Sequence, residues 1–175
     1  TTLGEERLKE IAKVCSEFKI LVLSDEIYGE VNHNGQHVSL ASFYPEGTII
    51  SGGLSKWCGA GGWRLGTFLF PKPLYWLREA MSVVASETYT SVSAPIQYAA
   101  ISAFTARPEL QDYLERSRKV LKMVGEVAYG KLKETGLKLP KPEGGFYLFP
   151  DASELAESLA DRGIKDSTTL CEQLL

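Results

Sequence analysis

Asp25, Lys56 and Arg64 are the residues whose types and spacing could do chemistry. Asp25 follows the apolar run Ile20-Leu21-Val22-Leu23, which has the length of a strand and reads as one buried on both faces, as parallel strands are. A second short run, Thr48-Ile49-Ile50-Ser51, leads into the segment that carries Lys56. Ligands of open α/β sheets bind outside the carboxyl ends of the strands, so this order delivers a carboxylate and an ammonium to one rim. An ion pair at the sheet edge is one use for them. Two neighbours argue for more: the fifteen positions Gly52 to Gly66 hold six glycines, and Arg64 stands eight residues after the lysine. Trp57, Trp63 and Leu65 interleave with those glycines, so the segment is suited to close backbone approach or positive φ and not to linker duty. A lysine partly desolvated near other cations condenses with carbonyls. A strand-end aspartate can fix a proton on a ring nitrogen, and glycine amides with an arginine fork can hold a phosphate.

The elements that must position these groups follow from periodicity. Leu8, Ile11, Ala12, Cys15 and Phe18 form one helical stripe, predicting an amphipathic helix over 4–18, with Thr2 and Glu5 at capping-box spacing. After the first strand, Asn32 to Gln36 reads as a polar loop around Asn34-Gly35, and Phe43 to Gly47 as an aromatic turn. Thr67 to Phe70 is a third strand, stopped by Pro71 and Pro73. Helical spacing then covers Leu74 to Ser86 and Ala94 to Thr105. Pro108 sits where a helix-starting proline belongs, and the stripe Leu110, Leu114, Leu121, Val124, Ala128, Leu132 runs on to Gly136. A helix of about 27 residues exceeds the usual globular length and reads as a bridge between two parts of the fold. Leu137 to Pro142 and Gly145 to Phe149 read as strands, Ser153 to Ala160 and Ser167 to Leu175 as short helices. Strand, loop, strand and glycine-rich loop after a helix is the grammar of a doubly wound, mostly parallel α/β sheet, followed here by the start of an α+β lobe. We therefore expect 1–107 to belong to the sheet domain, 108–136 to be a connecting helix and 137–175 to open a smaller domain.

Composition bounds the partners. The chain has 175 residues, 19 Lys plus Arg against 22 Asp plus Glu and a net charge of −3, which argues against a dedicated nucleic-acid or membrane-surface binder. At 44% hydrophobic and 23% charged it has the composition of an ordinary globular protein, and no stretch of about 18 apolar residues would span a membrane. Cys15, Cys58 and Cys171 are odd in number and widely spaced, which fits neither a disulfide framework nor a metal site and suits a reducing cytoplasm. His33 and His37 fall in the polar loop and read as solvated; Trp57 and Cys58 read as packing residues. The sequence starts at Thr1 and stops within a helical pattern, so we expect a fragment.

A lysine for a Schiff base, an acid partner for a pyridinium and a phosphate cradle together describe a pyridoxal 5′-phosphate site. Ser24-Asp25-Glu26-Ile27-Tyr28, then Leu54-Ser55-Lys56 with Gly62-Trp63-Arg64-Leu65-Gly66, then Pro142-Glu143-Gly144-Gly145-Phe146-Tyr147 closely resemble the fold type I aminotransferases of class I and II. The order and spacing are those of the family, and the lysine-to-arginine block is its specific part.

The resemblance implies that Lys56 carries the cofactor as an internal aldimine and shuttles the substrate proton. It implies that Asp25 keeps the pyridine nitrogen protonated, that Tyr28 hydrogen-bonds the ring's phenolic oxygen, and that Arg64 binds the phosphate. Many members place a phosphate-binding Ser or Thr three residues before the lysine; Gly53 stands there, so Ser55, backbone amides and Arg64 would hold the phosphate. The family's Asn-Pro-Thr-Gly, ring-stacking aromatic and carboxylate-gripping arginine would lie outside this chain. Amino acid and 2-oxo acid substrates and a homodimer follow from the same resemblance, while Thr88 to Ser93, near the neighbouring site in such enzymes, offers no arginine for a dicarboxylic substrate. A lyase of the same fold, or a PLP-sensing domain of a regulator, would use the same Lys56, Asp25 and Arg64.

Overall fold

A computed structural model describes residues 2–35 and 37–175; Gln36, at the end of the expected polar loop, and Thr1 lie outside them. Helix α1 (Glu5–Glu17) leads to strand β1 (Val22–Asp25), and after three short 3-10 turns comes β2 (Thr48–Gly53). A glycine-rich loop separates β2 from β3 (Gly66–Leu69). Helices α2 (Tyr75–Thr88), α3 (Ala94–Phe104) and the 27-residue α4 (Pro108–Glu134) follow, then two short helices, α5 (Ala156–Ala160) and α6 (Ser167–Leu174). Glu5 and Glu6 open α1 and Lys131 and Lys133 close α4, each complementing the local end of the helix dipole.

The sheet has the order β1-β2-β3. β1 and β2 are parallel, pairing Val22 with Thr48 through Asp25 with Ser51, as the buried-run reading expects. β3 returns antiparallel to β2, pairing Ile50 with Leu69 through Gly53 with Gly66, so the glycine-rich loop is a hairpin connection. Two apolar clusters flank this framework. Leu8 and Ala12 of α1 pack with Leu40 and Tyr44; Val31, Leu54, Trp57, Leu65, Ala100 and Leu114 form the other, joining the loop segments to α3 and α4. Trp57 is buried there and Cys58 packs against it, consistent with their reading as packing residues.

Four local expectations fail for identifiable reasons. β1 is not buried on both faces: Leu21 and Leu23 are 48% and 61% exposed, because only three strands and no covering layer over these side chains occur among the described residues. The Thr2–Glu5 capping box does not form. Gly4 occupies the cap position without a side-chain bond, and the Thr2 hydroxyl instead donates to Glu143 Oε2 at 2.8 Å. The expected strands at 137–142 and 145–149 reduce to isolated bridges, Lys138 with Asp151 and Asn32 with Gly144, since each segment meets its partner over one residue pair. Ser153 to Ala160 divides into a 3-10 turn and the five-residue α5.

The turn out of β2 depends on one glycine. Gly53 has φ +153°, and a Cβ there would stand 2.6 Å from the Leu65 carbonyl oxygen. That carbonyl accepts the Leu54 N–H at 3.3 Å and so closes the loop. We expect Gly53→Ala to destabilise the protein by more than about 2 kcal/mol, the strained conformation adding to a backbone clash that cannot relax cheaply. Chemical denaturation measures it, and a midpoint equal to that of the parent would refute this account of the turn.

Candidate active site

The rim above β1 and β2 is assembled by the pairing itself. Asp25 ends β1 opposite Ser51, whose hydroxyl donates to Asp25 Oδ1 at 3.4 Å, and the Ile27 N–H donates to the same oxygen at 3.3 Å. Both bonds fall on one carboxylate oxygen. The chain then turns, Gly29 N–H to Glu26 carbonyl at 2.8 Å, and Tyr28 is half-buried on that turn.

Lys56 lies in the turn that follows β2 and is also half-buried. Its carbonyl accepts the Gly59 N–H, and the Ala60 N–H returns to the Leu54 carbonyl at 3.2 Å, so the lysine sits inside a hydrogen-bonded loop. Its ammonium stands 5.5 Å from the Tyr28 ring centroid and 5.7 Å from that of Phe146. Such cation–π contacts hold a lysine head in place. Phe146 and Tyr147 in turn meet the Tyr28 ring edge-on at 5.6 and 6.0 Å. Desolvation raises the Tyr28 pKa above the usual phenol range, and the Tyr147 hydroxyl adds to the rise, while the Lys56 ammonium opposes it. The phenol is therefore a proton donor at neutral pH.

Arg64 closes the short 3-10 turn before β3 in a left-handed conformation, φ 56° and ψ 45°, and is exposed. Its Nη1 donates to the Gly61 carbonyl at 2.8 Å. Gly61 also lies against Ser55, so the loop brings Ser55 and Arg64 to the same glycine. The structure thus gathers Lys56 with Tyr28, and Ser55 with Arg64. A cleft of about 590 Å³ is lined by Asp25, Tyr28, Gly144, Gly145 and Tyr147 together with Leu3 and Leu8. Lys56, Ser55 and Arg64 are not among its lining residues.

Three features beyond the sequence reading surround this group. Glu26, next to Asp25, accepts hydrogen bonds from Ser39 Oγ at 2.6 Å and Ser24 Oγ at 3.0 Å, and its other oxygen meets His37 Nε2 at 2.7 Å. His37, expected to be solvated, is exposed but paired. His33 contradicts the same expectation outright: it is 8% exposed, with Nε2 3.0 Å from the Gly145 carbonyl oxygen. Its burial depends on the segment at 142–145 folding over it, more than a hundred residues along the chain, which no local pattern around Asn32-His33-Asn34 signals. Phe146 and Tyr147 form the third feature; their motif was visible, but not their place against Lys56. Among the described residues no group of three or more His, Cys, Asp or Glu could hold a metal ion, and no helix is long and apolar enough to cross a membrane.

A small α/β sheet with Asp25 at one parallel strand end and a lysine-bearing glycine loop after the next defines an aminotransferase-type fold. The chain belongs to the aminotransferases of class I and II, whose family model matches residues 1–173. The aspartate aminotransferase of Geobacillus stearothermophilus is 35% identical over 166 residues, 92% of this chain and 41% of that protein. A probable N-acetyl-LL-diaminopimelate aminotransferase of Bacillus subtilis is 36% identical over 151 residues, 85% of this chain and 36% of that one. Among solved structures, aspartate aminotransferase from Thermus thermophilus with maleate superposes with a TM-score of 0.80 at 28% identity, over 96% of this chain and 46% of that one. The chain spans about two fifths of the length of the curated relatives it matches.

The Glu26 network gives a pH signature. Burial pushes the Glu26 pKa up, but bonds from His37, Ser39 and Ser24 outweigh it, and the carboxyl titrates below its ordinary value of 4.5. A group depressed in the folded state stabilises above its unfolded pKa, and that stability is lost as pH falls through the folded pKa. Glu26→Gln should therefore lower the melting temperature at pH 7 and lessen its decline below about pH 4.5. An acid limb as steep as the parent's would refute the role of Glu26.

Proposed function

We propose that the protein carrying this chain is a pyridoxal 5′-phosphate-dependent aminotransferase that moves an amino group from an amino acid to a 2-oxo acid. The observation that carries this reading is the half-buried Lys56 ammonium held against Tyr28, three residues beyond Asp25, on the turns that follow two adjoining parallel strands. The chemistry of the donor set fits the group: a primary amine, a carboxylate whose two internal bonds both use Oδ1, a phenol kept protonated, and a glycine loop with a guanidinium.

When bound, pyridoxal 5′-phosphate supplies a carbonyl for covalent attachment and a pyridinium that withdraws electrons. Lys56 would be the attachment point, its amine being the nucleophile, and once released it would carry the proton between the substrate Cα and the cofactor's carbonyl carbon, in one direction in the first half of the exchange and in the other in the second. Asp25 holds the proton on the pyridine nitrogen by a charge-assisted hydrogen bond. Tyr28 donates its phenolic proton to the ring oxygen. Arg64 and Ser55, with amides of the glycine loop, hold the phosphate. The relatives are named for different amino donors, so the donor of this protein is not assigned from them. A homodimer is part of the proposal by family resemblance, and the free thiols Cys15, Cys58 and Cys171 suit a reducing cytoplasm.

The intact protein loaded with cofactor should be yellow, with an absorbance that shifts when an amino acid is added. Lys56→Ala should abolish that band and amino transfer together; undiminished turnover would sink the assignment. Asp25→Asn should weaken cofactor binding by roughly 1.5–3 kcal/mol, since an amide replaces a charged acceptor, and lower kcat further at saturating cofactor. Near-normal kcat in that variant would return Asp25 to a strand-end hydrogen-bonding role.

A further inference from the structure

The geometry points to His33 as a positioning residue of this site: its buried ring is the clasp that holds Phe146 and Tyr147 against Tyr28 and Lys56. The inference rests on the proposed reading of Lys56 as the reacting amine. Three contacts define the clasp. The His33 N–H donates to the Glu143 carbonyl at 2.9 Å, and the Gly145 N–H donates to the Val31 carbonyl at 2.9 Å; together these two bonds pair Asn32 with Gly144. His33 Nε2 meets the Gly145 carbonyl oxygen at 3.0 Å. The first two are backbone contacts that any residue could make. The third needs this side chain.

The chemistry of the ring says what it is for. A carbonyl oxygen only accepts, so Nε2 is the donor in this contact. Nδ1 is buried and has no hydrogen-bond partner. A phenyl ring would fill the space beside Gly125 and Pro142 without leaving a polar atom orphaned. What the imidazole adds over a phenyl is the Nε2–H bond to Gly145, and that bond falls on the residue whose conformation aims the aromatic pair. Gly145 has φ +64°, and a Cβ there would meet the Tyr28 ring at 3.4 Å. Fixing both its N–H and its carbonyl leaves the following residue, Phe146, little freedom of direction. Phe146 then stands over the Lys56 ammonium, and Tyr147 beside the Tyr28 phenol. His33 touches none of the reacting groups and acts through this segment.

The test uses two variants of the intact protein, free of cofactor. His33→Phe keeps a ring and removes the donor; His33→Gln restores an N–H at the reach of Nε2. Amide exchange reports the clasp at Gly145, and the rate at which an amine-modifying reagent labels Lys56 reports the aromatic wall. His33→Phe should speed exchange at Gly145 about tenfold, the effect of one lost hydrogen bond on local opening, and raise Lys56 labelling. His33→Gln should bring both back to within about twofold of the parent, a rescue that a purely space-filling role would not give. Unchanged exchange and labelling in His33→Phe would overturn the proposal, as would a His33→Gln variant as loose as His33→Phe. Should His33→Phe fail to fold, His33→Gln decides alone: parental exchange and labelling uphold the clasp, and their loss overturns it. Neither readout needs the cofactor, so a protein with an intact clasp and no cofactor chemistry at Lys56 would refute the aminotransferase reading and leave the clasp standing.

Discussion

The parallel pairing of β1 with β2 is the constraint on which the rest of the site depends. Because the strands run the same way and Asp25 is in register with Ser51, the carboxylate and the lysine loop leave the sheet at the same edge. A shift of one residue would turn Asp25 to the opposite face of the strand and bring Glu26 into its place. The register is locked beyond the strand by the Glu26 N–H bond to the Ser51 carbonyl, and at the side chain by Ser51 Oγ to Asp25. Gly53 then lets the chain leave β2 without colliding with Leu65, and the antiparallel return of β3 pins the far end of the loop.

Distant segments complete what the strands begin. Arg118 of α4 donates from Nε to the Glu30 carbonyl and from Nη2 to its carboxylate, each at 2.8 Å, and so fixes the turn after Tyr28. An arginine making two bonds in a fixed fork constrains direction as well as distance. Glu143 ties to Thr2, and the Gly144–Tyr147 segment lies over the same turn. The aromatic contacts at Lys56 therefore draw on residues from both halves of the chain.

Legibility in the sequence followed the range of the interaction. α4 shows its start through Pro108 and its length through an uninterrupted stripe, both local, and the structure gives 27 residues from Pro108 to Glu134. The parallel pair was readable because apolar runs ending in polar residues carry the signature of a rim. Ser55, Lys56 and Arg64 fall within one loop, where proximity in sequence becomes proximity in space. What was illegible was set across a hundred residues: the burial of His33, the diversion of the Thr2 hydroxyl to Glu143, and the reduction of two apparent strands to bridges. A polar loop containing Asn34-Gly35 looks solvated by composition and those two residues are exposed; only at His33 does the segment folded upon it reverse that.

Asp25 and Glu26 show why adjacent carboxylates of similar chemistry come to different uses. Neighbours along a strand point to opposite sides, so at the end of β1 one acid enters a different environment from the next. Glu26 is met on both oxygens, by Ser24 and Ser39 on one and His37 on the other, and a carboxylate so satisfied has little left to offer a ligand. Asp25 receives both of its bonds on Oδ1, from a backbone N–H and a hydroxyl, each longer than 3.2 Å. Long bonds to one oxygen orient the group without exhausting it, and leave acceptor capacity on the other. Glu26 ties Ser39 and His37 to the end of β1; Asp25 is held by the sheet through one oxygen. The sequence points to Asp25 by its place after the apolar run, and the distribution of hydrogen bonds favours the same residue for the proposed chemistry.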